Sequence, residues 1–85
     1  MLQSPSSPIL ALIPAYNEAK RIRPTLYGTQ LHLTVLVVDD GSSDDTATIA
    51  KNMAALVLCQ KPNQGKGAAL RAGFQYALDA GYEAI

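Results

Sequence analysis

Three short apolar runs, each cut off by turn residues, alternate along the chain with longer stretches of mixed polarity. The runs are Ile9–Ile13, ending at Pro14; Leu33–Val38, ending at Asp39-Asp40-Gly41; and Ala55–Cys59, ending at Gln60-Lys61-Pro62-Asn63. Apolar runs without polar alternation suit strands buried on both faces of a sheet. The stretches between them predict helices. Asn17–Tyr27 carries the poorest signal, because Pro24 requires the helix to begin late or to break there. Thr46–Ala55 spaces Ala47, Ile49, Ala50, Met53 and Ala54 for one helical face. Ser42, Ser43 and Asp44 are its capping candidates, and its first turn reads as acidic. Gly67–Ala80 places Leu70, Phe74, Ala77 and Leu78 on one stripe and stops at Gly81. Tyr82–Ile85 reads as the opening of a fourth strand.

Strand and helix alternate with short connections, which predicts right-handed βαβ units on a parallel sheet. The expected fold class is therefore α/β, three layers deep (α/β/α). Residues 9–85 form the expected domain. Met1–Pro8, rich in Ser and Pro, reads as a disordered lead-in without the basic start and apolar stretch of a signal peptide.

Composition narrows the classes of function. Seven basic residues balance seven acidic ones, so no basic excess points to nucleic acid. Lys20, Arg21 and Arg23 cluster locally and read as a solvated helix face. No apolar run approaches the roughly 18 residues that span a bilayer. Cys59 is the single cysteine, which excludes an internal disulfide, and its apolar surroundings predict a small buried hydrophobe.

In an open parallel sheet, ligands bind beyond the C-terminal ends of the strands. The polar residues gather there: Pro14-Ala15-Tyr16-Asn17-Glu18, then Asp39-Asp40-Gly41-Ser42, then Asn63-Gln64-Gly65-Lys66-Gly67. Together they offer an aromatic ring for stacking, a carboxylate pair that only accepts hydrogen bonds, and a lysine at a helix start. Adjacent residues of an extended chain point to opposite sides, so one of Asp39 and Asp40 is expected to face a ligand. Each feature also has a plain structural explanation: helix capping for the acids, a strand-end tyrosine, a solvated turn lysine.

Rival motifs fail on position. Gln60 stands where a P-loop needs its first glycine, and Gly67 where it needs Ser or Thr. Pro14-Ala15-Tyr16 replaces the Gly-rich turn of a dinucleotide fingerprint. The acids follow the second strand, not the first as in a response-regulator receiver. A nucleotidyltransferase would carry a Gly-rich basic loop after strand one, which this chain lacks.

Taken jointly, Ile13-Pro14-Ala15-Tyr16-Asn17-Glu18, Val37-Val38-Asp39-Asp40-Gly41-Ser42-Ser43-Asp44 with Thr46, and Asn63-Gln64-Gly65-Lys66-Gly67 through Gly73 resemble the family 2 glycosyltransferases. The branch they most resemble contains the dolichol- and polyprenyl-phosphate sugar synthases. The resemblance implies the N-terminal, nucleotide-binding half of a GT-A fold. It implies transfer of a sugar, usually with inversion, from a UDP- or GDP-sugar donor, with a polyprenyl phosphate as candidate acceptor. Pro14, Ala15, Tyr16, Glu18, Asp39, Asp40, Gly41, Gly65, Lys66 and Arg71 would line the nucleotide site, with Asp40 preferred over Asp39 as acceptor from the base. The family also implies a divalent metal, Mg²⁺ or Mn²⁺, held by an Asp-x-Asp motif after strand four. That motif is absent from these residues, so neither catalytic residues nor metal ligands are expected in this chain. A cytoplasmic protein, membrane-associated through downstream segments, is the corresponding expectation. The alternative left open is a non-catalytic nucleotide-binding or interaction module of the same fold.

Overall fold

The computed structural model describes residues 9–82. The expected lead-in and all but the first residue of the expected fourth strand lie outside the described residues. The elements are β1 (Leu10–Ala15), α1 (Ile22–Gln30), β2 (Thr34–Asp39), α2 (Thr46–Asn52), β3 (Leu56–Cys59) and α3 (Lys66–Asp79). The strands form one parallel sheet in the order β1-β2-β3. Helices α1 and α2 pack Ile22, Leu26, Ile49 and Ala50 against Val35 and Val37. On the opposite face, α3 sets Ala69 and Ala77 against Leu10, Leu36 and Val38. The result is the three-layer α/β/α arrangement that the alternating pattern predicts. Only β2, covered on both faces and both edges, buries residue after residue; β1 and β3 remain half-buried over most of their lengths.

Several boundaries differ from expectation for identifiable reasons. Strand β1 runs through Pro14 to Ala15. The Ala15 carbonyl accepts the Asp40 N–H (2.8 Å) on the β2 side. Strand alternation therefore turns the Pro14 nitrogen away from β2, where the missing N–H breaks no bond. Helix α1 starts five residues late, at Ile22 rather than Asn17, which leaves Pro24 in its first turn. There a missing N–H is harmless, since first-turn donors have no partner within the helix. Helix α2 starts at Thr46 as expected but stops at Asn52, with Ala54 in the left-handed region (φ 65). Its acids precede the first turn rather than lying within it.

Two burial expectations are overturned. Cys59 is exposed, because it closes β3 at a sheet edge beyond the cover of the short α2. On α3 the buried stripe is Ala69, Gly73 and Ala77, while Phe74 and Leu78 are 46% and 68% exposed. A helix lying flat on a sheet approaches most closely along its smallest side chains. A Cβ on Gly73 would overlap Leu12 Cδ1 and lie 2.7 Å from its Cδ2 and 3.0 Å from its Cγ.

Gly73→Ala therefore sets two effects against each other. Alanine gains about 1 kcal/mol of helix propensity, whereas overpacking the whole Leu12 side chain costs about 1–3 kcal/mol. A net loss of stability is expected in urea unfolding. A stabilised variant would contradict this close approach.

Candidate functional site

The three strand ends meet through one residue. Asp40, 4% exposed, uses every polar group it has. Its N–H donates to the Ala15 carbonyl at the end of β1 (2.8 Å), and its carbonyl accepts from Asn63 Nδ2 (2.9 Å). Its carboxylate accepts the N–H of Gln64 at Oδ1 (2.8 Å) and of Gly65 at Oδ2 (2.9 Å). The loop after β3 is thus fastened to the end of β2. Gly41 permits the close approach: it takes φ +76, and a Cβ there would lie 2.6 Å from the Asn63 nitrogen.

A second set of bonds joins the loop after β1 to the entrance of α2. Asn17, at φ 52, donates its N–H to Ser42 Oγ (2.8 Å) and accepts the Ser43 N–H at Oδ1 (2.8 Å). The Glu18 N–H reaches Thr46 Oγ1 (2.9 Å), and the Ala19 N–H reaches Asp44 Oδ2 (3.2 Å). Asp44 Oδ1 accepts the N–H of Thr46, the first residue of α2 (3.0 Å), and also the Thr46 hydroxyl. The N-cap position itself is Asp45, whose side chain makes no capping bond, so none of the three capping candidates caps α2. Ser42 and Ser43 serve the cross-link to Asn17, and Asp44 braces the helix entrance from one residue earlier.

These donors, the Thr46 hydroxyl first, hold the Asp44 carboxyl below its ordinary value of 3.8. A carboxyl with a depressed pKa stabilises the fold above that value, and the contribution disappears as pH falls through and below it. The protein's melting temperature should fall between about pH 5 and pH 3, and Asp44→Asn should flatten part of that slope. An identical slope in the variant would show that this carboxyl does not titrate with folding.

The two fastened loops and the start of α3 enclose a pocket of about 530 Å³, within the size range of small-molecule sites. Pro14, Ala15, Tyr16, Glu18, Asp40, Gly65 and Lys66, all singled out in the sequence, line it. Asn63 and Ala69 line it as well and were not assigned from sequence. Asn63 opens the polar run Asn63-Gln64-Gly65-Lys66-Gly67 at the end of the third strand, two residues ahead of the Gly-Lys-Gly turn. Tyr16 stands half exposed at the rim.

Three of the assigned residues do not line the pocket. Gly41 lies beneath the loop as described. Arg71 sits one turn into α3, with Nη1 3.6 Å from where a Cβ on Gly67 would be. Asp39 is 2% exposed, on the opposite side of the strand from Asp40, and its Oδ1 has no hydrogen-bond partner.

The donors present do not compose a metal centre. Among the described residues no three His, Cys, Asp or Glu side chains stand together. Of the two carboxylates in the pocket, Asp40 already accepts two N–H groups and Glu18 pairs with Arg21 (2.8 Å). No helix among the described residues is long and apolar enough to cross a membrane.

Comparison with known proteins adds the context of a family. Residues 11–80 match the model of the family described as glycosyl transferase family 2. Among curated proteins, a dolichyl-phosphate beta-glucosyltransferase of Trichomonas vaginalis is 42% identical over 73% of this chain and 23% of its own length. A polyprenol monophosphomannose synthase of Mycolicibacterium smegmatis is 35% identical over 95% of this chain and 34% of its own length. An undecaprenyl-phosphate mannosyltransferase of Micrococcus luteus is 36% identical over 91% and 35% respectively. No solved structure matches the chain. The chain spans about a quarter to a third of the length of these curated relatives.

Proposed function

The chain belongs to glycosyl transferase family 2, and from that premise we propose that its pocket holds the nucleotide of a UDP- or GDP-sugar. Residues 9–85 would supply the nucleotide-binding part of a larger protein. That protein would transfer the sugar to a lipid-linked phosphate, the acceptor class that the relatives' names indicate. The observation that carries this proposal is the convergence of seven residues from three strand ends on one pocket, with an aromatic rim and a lysine at a helix N-terminus.

The parts suit a nucleoside diphosphate. The exposed ring of Tyr16 offers a stacking surface for the base. Lys66 and the first-turn N–H groups of α3 offer positive charge and free donors to the diphosphate. Arg71, folded towards Gly67, adds a second cation one turn along. Asp40, the carboxylate at the end of β2 that lines the pocket, keeps lone pairs beyond the two it uses on the loop and offers an acceptor to the N–H groups of a base. A divalent metal, ligated from elsewhere in the whole protein, would neutralise the departing diphosphate. With such an acceptor, the whole protein would work at the cytoplasmic side of a membrane, and family membership favours inversion at the anomeric carbon.

The test is transfer itself. Full-length protein should move labelled sugar from a UDP- or GDP-sugar to a polyprenyl phosphate in the presence of Mg²⁺ or Mn²⁺. Donor binding without any transfer would favour the non-catalytic alternative.

A further inference from the structure

We propose that Asp40 is a positioning residue for the phosphate end of the nucleotide pocket: by gripping the N–H groups of Gln64 and Gly65, its carboxylate fixes where Lys66 and the first turn of α3 meet a diphosphate. The inference rests on the nucleotide assignment above. The Asp40 carboxylate lines the pocket, and it also grips the loop after β3. Here each oxygen already accepts a backbone N–H, at 2.8 and 2.9 Å, from the two residues immediately before Lys66. The Asp40 carbonyl holds Asn63, one residue earlier in the same loop (2.9 Å). Its N–H holds the end of β1, one residue before Tyr16 (2.8 Å).

The bond to Ala15 is made by the main chain, whereas the carboxylate itself grips the loop that leads into Lys66. Because Gly65 takes φ +96 immediately before α3, the direction of the helix depends on how that loop is held. An ionised carboxylate can grip two adjacent N–H groups, whereas the amide of asparagine presents one acceptor and one donor group. Asp40→Asn would turn that donor group against a backbone N–H. The loop would open at its junction with Lys66.

A double-mutant cycle on the full-length protein tests the coupling. Calorimetry would measure UDP and GDP, with uridine and guanosine as diphosphate-free probes. In the wild-type background, Lys66→Ala should weaken diphosphate binding roughly ten- to a hundredfold. In the Asp40→Asn background the same change should cost less than about threefold, because the lysine is already misplaced. Independent, multiplying effects of the two substitutions would overturn the proposal.

Gly65→Ala provides a second route should Asp40→Asn fail to fold. It keeps the carboxylate and meets no atom within 4 Å, but strains the positive φ. It should weaken the diphosphate and leave the nucleoside within about twofold; equal losses for both would overturn the coupling. A folded wild-type protein that binds neither diphosphate would overturn the nucleotide assignment and the coupling with it. Normal wild-type binding with independent effects would remove the coupling alone.

Discussion

Gly41→Ala is expected to unfold the protein's ligand-binding end rather than merely weaken it. Alanine at φ +76 carries a penalty of about 1–2 kcal/mol. Its Cβ would lie 2.6 Å from the Asn63 nitrogen, 3.0 Å from Asn63 Cα and 3.2 Å from the Gln60 carbonyl oxygen. All three are backbone atoms, so no side chain can rotate aside. The loop must move, and moving it pulls Gln64 and Gly65 off the Asp40 carboxylate. Strain and overpacking together reach about 2–5 kcal/mol, a large share of the 5–15 kcal/mol, roughly, that stabilises an ordinary domain. Thermal unfolding should show a marked fall in melting temperature together with lost nucleotide binding. A variant as stable as the wild type would mean that the loop does not pack on Gly41 as described.

Lys66→Ala, in contrast, should leave stability intact and remove affinity. Lys66 is exposed, opens α3 and lines the pocket, and among the described residues it makes no side-chain ion pair. Truncating it removes no buried contact. A hydrogen bond from a charged donor is worth about 1.5–3 kcal/mol, so binding of a nucleoside diphosphate should weaken roughly ten- to a hundredfold. The nucleoside, lacking phosphate, should bind unchanged. The wild-type affinity for the diphosphate should also fall with added salt more steeply than the variant's. Equal loss for nucleoside and diphosphate would place the lysine near the base instead.

The alternation of apolar runs with helical stretches disclosed the layers, the parallel sheet and the places where polar residues collect. Strand ends were legible because each of the three breaks into turn residues. What the sequence concealed was governed by close packing and by bonds across large separations. The apolar pattern of α3 favours Leu70, Phe74, Ala77 and Leu78, but a helix pressed onto a sheet buries Ala77 together with Ala69 and Gly73, which carry little hydrophobic signal. Proline normally marks the end of a strand, yet Pro14 continues β1 because its nitrogen faces away from β2. Asn17 reads as the start of a helix and Asp44 as a capping candidate, and only the fold joins the first loop to the second through them. Of Asp39 and Asp40, strand alternation lets only one face a ligand and the resemblance prefers Asp40; the fold adds that Asp39 lies buried with an unpartnered oxygen and that Asp40 fastens a loop.

The central claim is that three strand ends, tied together at Asp40, form a site for a nucleoside diphosphate. Calorimetric titration of the full-length protein with UDP and GDP, alongside uridine and guanosine, tests it most directly. One diphosphate should bind, more tightly than its own nucleoside by at least about tenfold. A folded protein that binds neither diphosphate, or binds each no better than its nucleoside, would contradict it.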